Sequence, residues 1–127
     1  MTENEIAAII VDSAVKIHKS LGPGLLESVY QAILVFELRK RGLQVASQFP
    51  CPVSYEGIKI GLGFRVDLVV GNKVVVEIKS VEALIPVHRK QLETYLRLMD
   101  IRLGLLLNFN VELMKHGIQR VVNRLQE

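Results

Sequence analysis

A chain of 127 residues is long enough to bury the core of one domain without metals or disulfides as staples. Half of its residues are hydrophobic, which excludes a disordered chain, and no apolar run reaches the ~18 residues that span a bilayer. Sixteen Lys and Arg against 13 Asp and Glu give a formal charge of +3, a mildly basic balance that permits a nucleic-acid partner without demanding one.

Met1 to Glu5 is polar and acidic, unlike a signal peptide, so the cytosol is the expected location. Residues 3–20 are predicted as an amphipathic helix, because Ile6, Ile9, Ile10, Ala14 and Ile17 recur at helical spacing. Gly22-Pro23-Gly24 stops it. A second helix is expected over 25–41, with an apolar stripe of Leu26, Val29, Tyr30, Ile33, Phe36 and Leu38. Arg39, Lys40 and Arg41 suit the negative end of its dipole, and Gly42 is a plausible cap.

From residue 43 the period changes to two. Val45 to Tyr55 reads as a strand whose Pro50 and Pro52 argue for an edge position or a bulge. Cys51, the single cysteine, cannot pair within the chain and is expected to pack. After the turn at Glu56-Gly57 the chain returns from Ile58, and Phe64–Val70 and Val74–Lys79 are strong strands around Gly71-Asn72-Lys73. Pro86 opens a helix that ends near Met99. Arg102 to Phe109 is a buried strand, and Gly117 to Val122 reads either as a last strand or as part of a frayed tail. The order helix, helix, three strands, helix, strand predicts an α/β fold with a mixed sheet, its last helix crossing over to a parallel strand.

The chemistry concentrates in Phe64 to Lys79. In the first strand Val66, Leu68 and Val70 share one face, and Arg65, Asp67 and Val69 the other. In the second, Val74, Val76 and Ile78 oppose Val75, Glu77 and Lys79. A two-residue loop would set Asp67 opposite Val76 and mix charge into the apolar side. A three-residue loop sets Asp67 opposite Glu77, Arg65 opposite Lys79 and Leu68 opposite Val76, and only this parity separates the faces. Two opposed carboxylates repel. Arg65 and Lys79 can offset that repulsion, giving a charged, solvated face. A divalent cation held by carboxylate oxygens can offset it too, with Lys79 beside a water or a developing phosphorane.

Asp67 followed by Glu77-Ile78-Lys79 on the next strand resembles the core of the PD-(D/E)XK nuclease superfamily. Gly24-Leu-Leu-Glu27-Ser-Val-Tyr30 is similar to the signature of the bacterial GxxExxY proteins, and Gln91-Leu-Glu-Thr-Tyr95 resembles the QxxxY element of RecB-type members. Val66 stands where many members carry proline. The resemblance covers essentially the whole chain and implies a restriction-endonuclease-like core, a mixed central sheet flanked by helices. It further implies a Mg²⁺- or Mn²⁺-dependent nuclease, DNA favoured over RNA. Glu27, Asp67, Glu77 and the Ile78 carbonyl would hold the metal, Lys79 and Gln91 would complete the catalytic set, and Tyr30, Arg65, His88 and Tyr95 would line the substrate.

Each of these residues also has a plainer reading. Glu27 suits a helix N-terminus on dipole grounds alone. Tyr30 is expected to pack, with its hydroxyl tied to the site. Gln91 and Tyr95 merely share a helix face. His18 and His116 are expected at the surface, Glu82 in solvent, and Arg89, Lys90 and Arg97 on a solvated helix face. With no tryptophan and seven other aromatic residues, a base-stacking platform is excluded, so phosphate contacts and metal should dominate any nucleic-acid binding. The competing functions are a nuclease-fold module that binds nucleic acid or a protein without cutting, and an oligomerisation domain, which leaves the opposed carboxylates unexplained. A symmetric homodimer is expected, because the proline-bearing strand (Val45, Phe49, Val53, Tyr55) and the isoleucine-rich first helix offer apolar surface to hide.

Overall fold

The computed structural model describes residues 1–126. Its elements are α1 (Glu3–Leu21), α2 (Glu27–Lys40), β1 (Val45–Tyr55), β2 (Ile58–Val70), β3 (Val74–Lys79), α3 (Pro86–Met99), β4 (Leu103–Asn108), a 3-10 turn (Met114–Gly117) and β5 (Ile118–Val122). The ambiguous tail therefore contains a strand. The sheet is five-stranded in the order β1-β2-β3-β4-β5. Only β3 and β4 run parallel, across the α3 crossover. Among the described residues, no helix is long and apolar enough to cross a membrane.

Thr2 caps α1: its hydroxyl accepts from the Glu5 amide at 3.1 Å while the Glu5 carboxylate accepts from the Thr2 amide at 3.2 Å. Ile6, Ala7, Ile10, Ala14 and Ile17 then bury one side of α1 against the sheet, together with Leu68, Val70, Val74, Val76, Ile78, Leu103, Leu105 and Leu107. The isoleucines of α1 are thus core residues and offer no interface. In α2 the expected stripe is rotated. Tyr30, Leu34, Glu37 and Leu38 are buried, whereas Leu26, Val29 and Phe36 are exposed. The helix is apolar on several sides, so periodicity alone does not select its inner face. Tyr30, Leu34 and Leu38 pack into the core on that side, and an ion-pair network lies beside them: Lys16 Nζ meets Glu37 Oε1 at 2.8 Å, and Arg41 reaches both Glu37 (3.1 Å) and Asp12 (2.6 Å). These cations hold the Glu37 carboxyl below its ordinary range, the Lys16 contact most of all. His18 is also buried, not at the surface, with Nε2 at 2.7 Å from the Val111 carbonyl.

The other face carries α3, where Leu92, Tyr95 and Leu96 pack with Val69, Val75, Leu106 and Val121. Val66 belongs to this second cluster, so it does not share a face with Leu68 and Val70 as strict alternation requires. The alternation breaks at Asp67. Across from it in the β1–β2 ladder, which pairs Ser47 with Leu68 and Phe49 with Val66, Gln48 takes a left-handed conformation with φ 50°. The two strands twist together there. β1 is the edge strand, and a register shift between Cys51 and Val53 accommodates its prolines. The buried Cys51 thiol is pushed up by desolvation.

Candidate active site

β2 and β3 stay in register from Val70 opposite Val74 to Leu68 opposite Val76, around a turn in which Gly71 and Asn72 both adopt positive φ. The pairing has the parity that only the longer loop allows. Beyond Leu68 the backbone ladder ends and side chains replace it. Glu77 Oε1 accepts from the Asp67 amide at 2.9 Å, and Asp67 Oδ2 accepts from the Ile78 amide at 2.8 Å. Each strand's carboxylate thus caps an amide of the other. Buried carboxylates need donors, and separating strands leave unpaired amides; the two needs are met together. The Arg65–Lys79 pairing expected from the register is not formed. Arg65 is exposed and turns to the Gln48 carbonyl on β1 at 3.2 Å.

Burial and the neighbouring Asp67 charge push the Glu77 carboxyl up to about 7, against the Asp67 amide and the Lys79 charge, which pull it down. Asp67 is raised as well, chiefly by burial, although the Ile78 amide and Lys79 oppose it. Glu27 adds a third negative charge that raises both. Lys79 is half-buried beside the pair and makes no ion pair within 4 Å among the described residues. Gln48, which the sequence did not single out, spans from Gln31 Oε1 (3.0 Å) to Asp67 Oδ1 (3.4 Å).

Glu27 begins α2, and its Oε2 accepts from the Ser80 amide at 3.1 Å, directly after Lys79. The Ser80 hydroxyl donates to the Leu25 carbonyl at 2.7 Å. Tyr30 lies behind this contact. It is fully buried, stacks on Phe109 with centroids 4.4 Å apart, donates to the Gly22 carbonyl at 2.5 Å and accepts from the Leu25 amide at 3.2 Å. Tyr30 therefore braces the glycine-rich turn and does not line a substrate surface. A groove of about 510 Å³ opens in front, lined by Gly24, Leu26, Glu27, Ser28, Ser80 and Asn110 among others.

On α3, Tyr95 is buried and stacks on Phe64 at 3.9 Å. Its hydroxyl is raised by burial and by the charges of Glu77 and Asp67, which sets its ring beside the carboxylate pair. Gln91 lies one turn earlier and is exposed. His88 is half-buried, and its Nδ1 accepts from the Ile85 amide at 3.2 Å, a cap for α3 that occupies one ring nitrogen.

A family model of the PD-(D/E)XK nuclease superfamily matches residues 4–121. The chain belongs to that superfamily. The matched segment runs from α1 into β5 and includes Glu27, Asp67, Glu77, Lys79 and Gln91. Neither curated proteins nor solved structures give a match. Nucleases of the PD-(D/E)XK superfamily generally work with divalent metal ions on nucleic acid. The donor chemistry here fits a hard cation: carboxylate oxygens on adjacent strands, held apart from bulk water, with mutual repulsion that a cation relieves. Among the described residues, no three acidic, His or Cys side chains already converge on one point. Glu27, whose charge raises both carboxyls, accepts from the Ser80 amide.

Proposed function

We propose that the chain is a divalent-metal-dependent phosphodiester hydrolase that cuts nucleic acid, DNA in preference to RNA. The carrying observation is the reciprocal bonding of Asp67 and Glu77 where β2 leaves β3, with Lys79 two residues further on the same strand. Asp67, Glu77, Glu27 and the Ile78 carbonyl would hold Mg²⁺ or Mn²⁺. When bound, the cation supplies charge neutralisation at the scissile phosphate and lowers the pKa of a coordinated water. The Lys79 ammonium stabilises the negative charge that grows on the phosphate oxygens during attack. Gln91, free on the α3 surface, orients water or phosphate, and Arg65 and His88 guide the backbone of the substrate.

A second reading, binding without cleavage, is favoured by one observation: among the described residues no three acidic, His or Cys side chains converge on one point. Incubation of the purified protein with labelled single- and double-stranded DNA and RNA, in Mn²⁺ or in EDTA, separates the two. Cleavage in Mn²⁺ that stops in EDTA and in Glu77→Gln supports the hydrolase. Retention of nucleic acid without cleavage in either condition supports the module. Within this reading the chain is a single cytosolic nuclease domain over residues 1–127, a GxxExxY-type member through Gly24, Glu27 and Tyr30, and works as a homodimer that can address both strands of a duplex.

A further inference from the structure

Asn108 is the last residue of β4, the one polar side chain at the end of an otherwise apolar strand, and it is only 1% exposed. A buried amide must be fully bonded to be tolerated. Its Oδ1 accepts from the Val81 amide at 3.1 Å and from the Asn110 amide at 3.2 Å, and its Nδ2 donates to the Val81 carbonyl at 2.9 Å. Both backbone groups of Val81 are thereby held by one side chain. The preceding residue, Ser80, has its amide on Glu27 and its hydroxyl on Leu25. Lys79 is anchored too, since its carbonyl accepts from the Phe109 amide at 3.0 Å. The link from β3 to α3 thus leaves the sheet along a path set by Asn108, and along that path it presents the Ser80 amide to Glu27.

We propose that Asn108 is a positioning residue for the metal site: it fixes Val81 and Ser80, and through the Ser80 amide it sets where the Glu27 carboxylate stands relative to Asp67 and Glu77. The residue touches neither substrate nor metal. Outer partners that orient a metal ligand typically contribute 10–100-fold to metal affinity. The inference rests on the reading of Glu27 as the third carboxylate of the site.

The test is Mn²⁺ affinity, measured by electron paramagnetic resonance on the full chain, in a double-mutant cycle. Asn108→Leu keeps the size of the side chain and removes all three hydrogen bonds. It is expected to weaken Mn²⁺ binding about tenfold in the native background and to have little further effect in a Glu27→Gln background. Hydrogen exchange at the Ser80 and Val81 amides, without metal, should accelerate in Asn108→Leu while the α1 amides stay protected. Equal losses of affinity in both backgrounds, or no loss in either, would overturn the positioning role. Should Asn108→Leu fail to fold, Asn108→Ser keeps a polar group at that place and shortens it out of reach of Val81. It should weaken Mn²⁺ severalfold in a Glu27-dependent way, and unchanged affinity there also overturns the proposal. If the native chain takes up no Mn²⁺ that depends on Asp67 and Glu77, the metal reading fails and the inference fails with it. Native binding with an indifferent Asn108 variant removes the inference alone.

Discussion

Asp67 and Glu77 each accept a hydrogen bond from the other's strand, at 2.9 Å from the Asp67 amide and 2.8 Å from the Ile78 amide. The exchange keeps two like charges adjacent in a buried place where an ordinary ladder would have left them without donors. The cost of burial and of the adjacent Asp67 charge shows in the raised carboxyl of Glu77, at about 7. Neutral isosteres keep one acceptor oxygen each, enough for the cross-strand amide contacts, and remove the repulsion. Asp67→Asn and Glu77→Gln should therefore lower Mn²⁺-dependent cleavage by at least ~100-fold while raising the Tm of the metal-free protein at pH 8. Melting curves in EDTA and a gel assay on labelled DNA check both halves. A variant that melts lower and still cuts would contradict the assignment.

The pH dependence of stability follows from the same pair. Glu77 has its folded pKa raised from 4.5 to about 7, so between those values the folded chain binds more protons than the unfolded one. Stability must then fall as pH rises from 4.5 to 7 and level off above. The shift sets an upper bound of roughly 3 kcal/mol, equivalent to a drop in Tm of up to roughly 10 °C for a chain of this size. Asp67 is raised as well and acts in the same direction. Glu37 and Glu5 are lowered, so their contribution is lost only as pH falls below the ordinary glutamate value, outside this window. Thermal melts in EDTA from pH 4.5 to 8.5 should show the slope, and Glu77→Gln should flatten it.

Lys79 pulls both carboxyls down and has no ion-pair partner among the described residues. Its charge opposes a cation on the neighbouring carboxylates in the ground state. Lys79→Met should therefore leave Mn²⁺ affinity unchanged or higher, yet lower kcat by about 10²- to 10³-fold. A variant that loses metal binding along with activity would make Lys79 a structural partner of the carboxylates.

Gln91 and Tyr95 occupy one helix face but have separate roles. Tyr95 is buried against Phe64, and Tyr95→Ala should destabilise the fold by about 3 kcal/mol through lost stacking and a cavity. Gln91 is exposed, so Gln91→Ala should leave the Tm within about 2 °C and reduce cleavage alone. Equilibrium unfolding in urea and initial rates on DNA distinguish the two effects.

The surface left for the proposed dimer is the β1–β2 hairpin. β3 meets β2 only at Leu68 to Val70, so the rest of the hairpin extends past it, with Phe49, Tyr55, Ile58 and Ile60 exposed. Light scattering at micromolar concentration should give about twice the 14.3 kDa of one chain, and Tyr55→Lys with Ile58→Lys should return it to one. A mass of one chain for the native protein removes the dimer.

The sequence by itself determined the element order as far as β4, an edge or bulged position for the proline-bearing strand and the parity that brings Asp67 to Glu77. Each of these depends on local rules: a period of 3.6 or 2, a proline that cannot donate, a loop whose length fixes which faces align. Only the tertiary structure decided the inner face of α2, because apolar residues lie on several of its sides and packing of Tyr30, Leu34 and Leu38 into the core selects among them. The same holds for Val66, whose face changes beside Gln48, and for His18, whose burial depends on a loop distant in sequence. Asn108 did leave a signal, a lone amide closing the apolar run from Leu103, but its partner Val81 lies 27 residues away. Hydrogen bonds between such distant segments follow from packing, which no local period encodes.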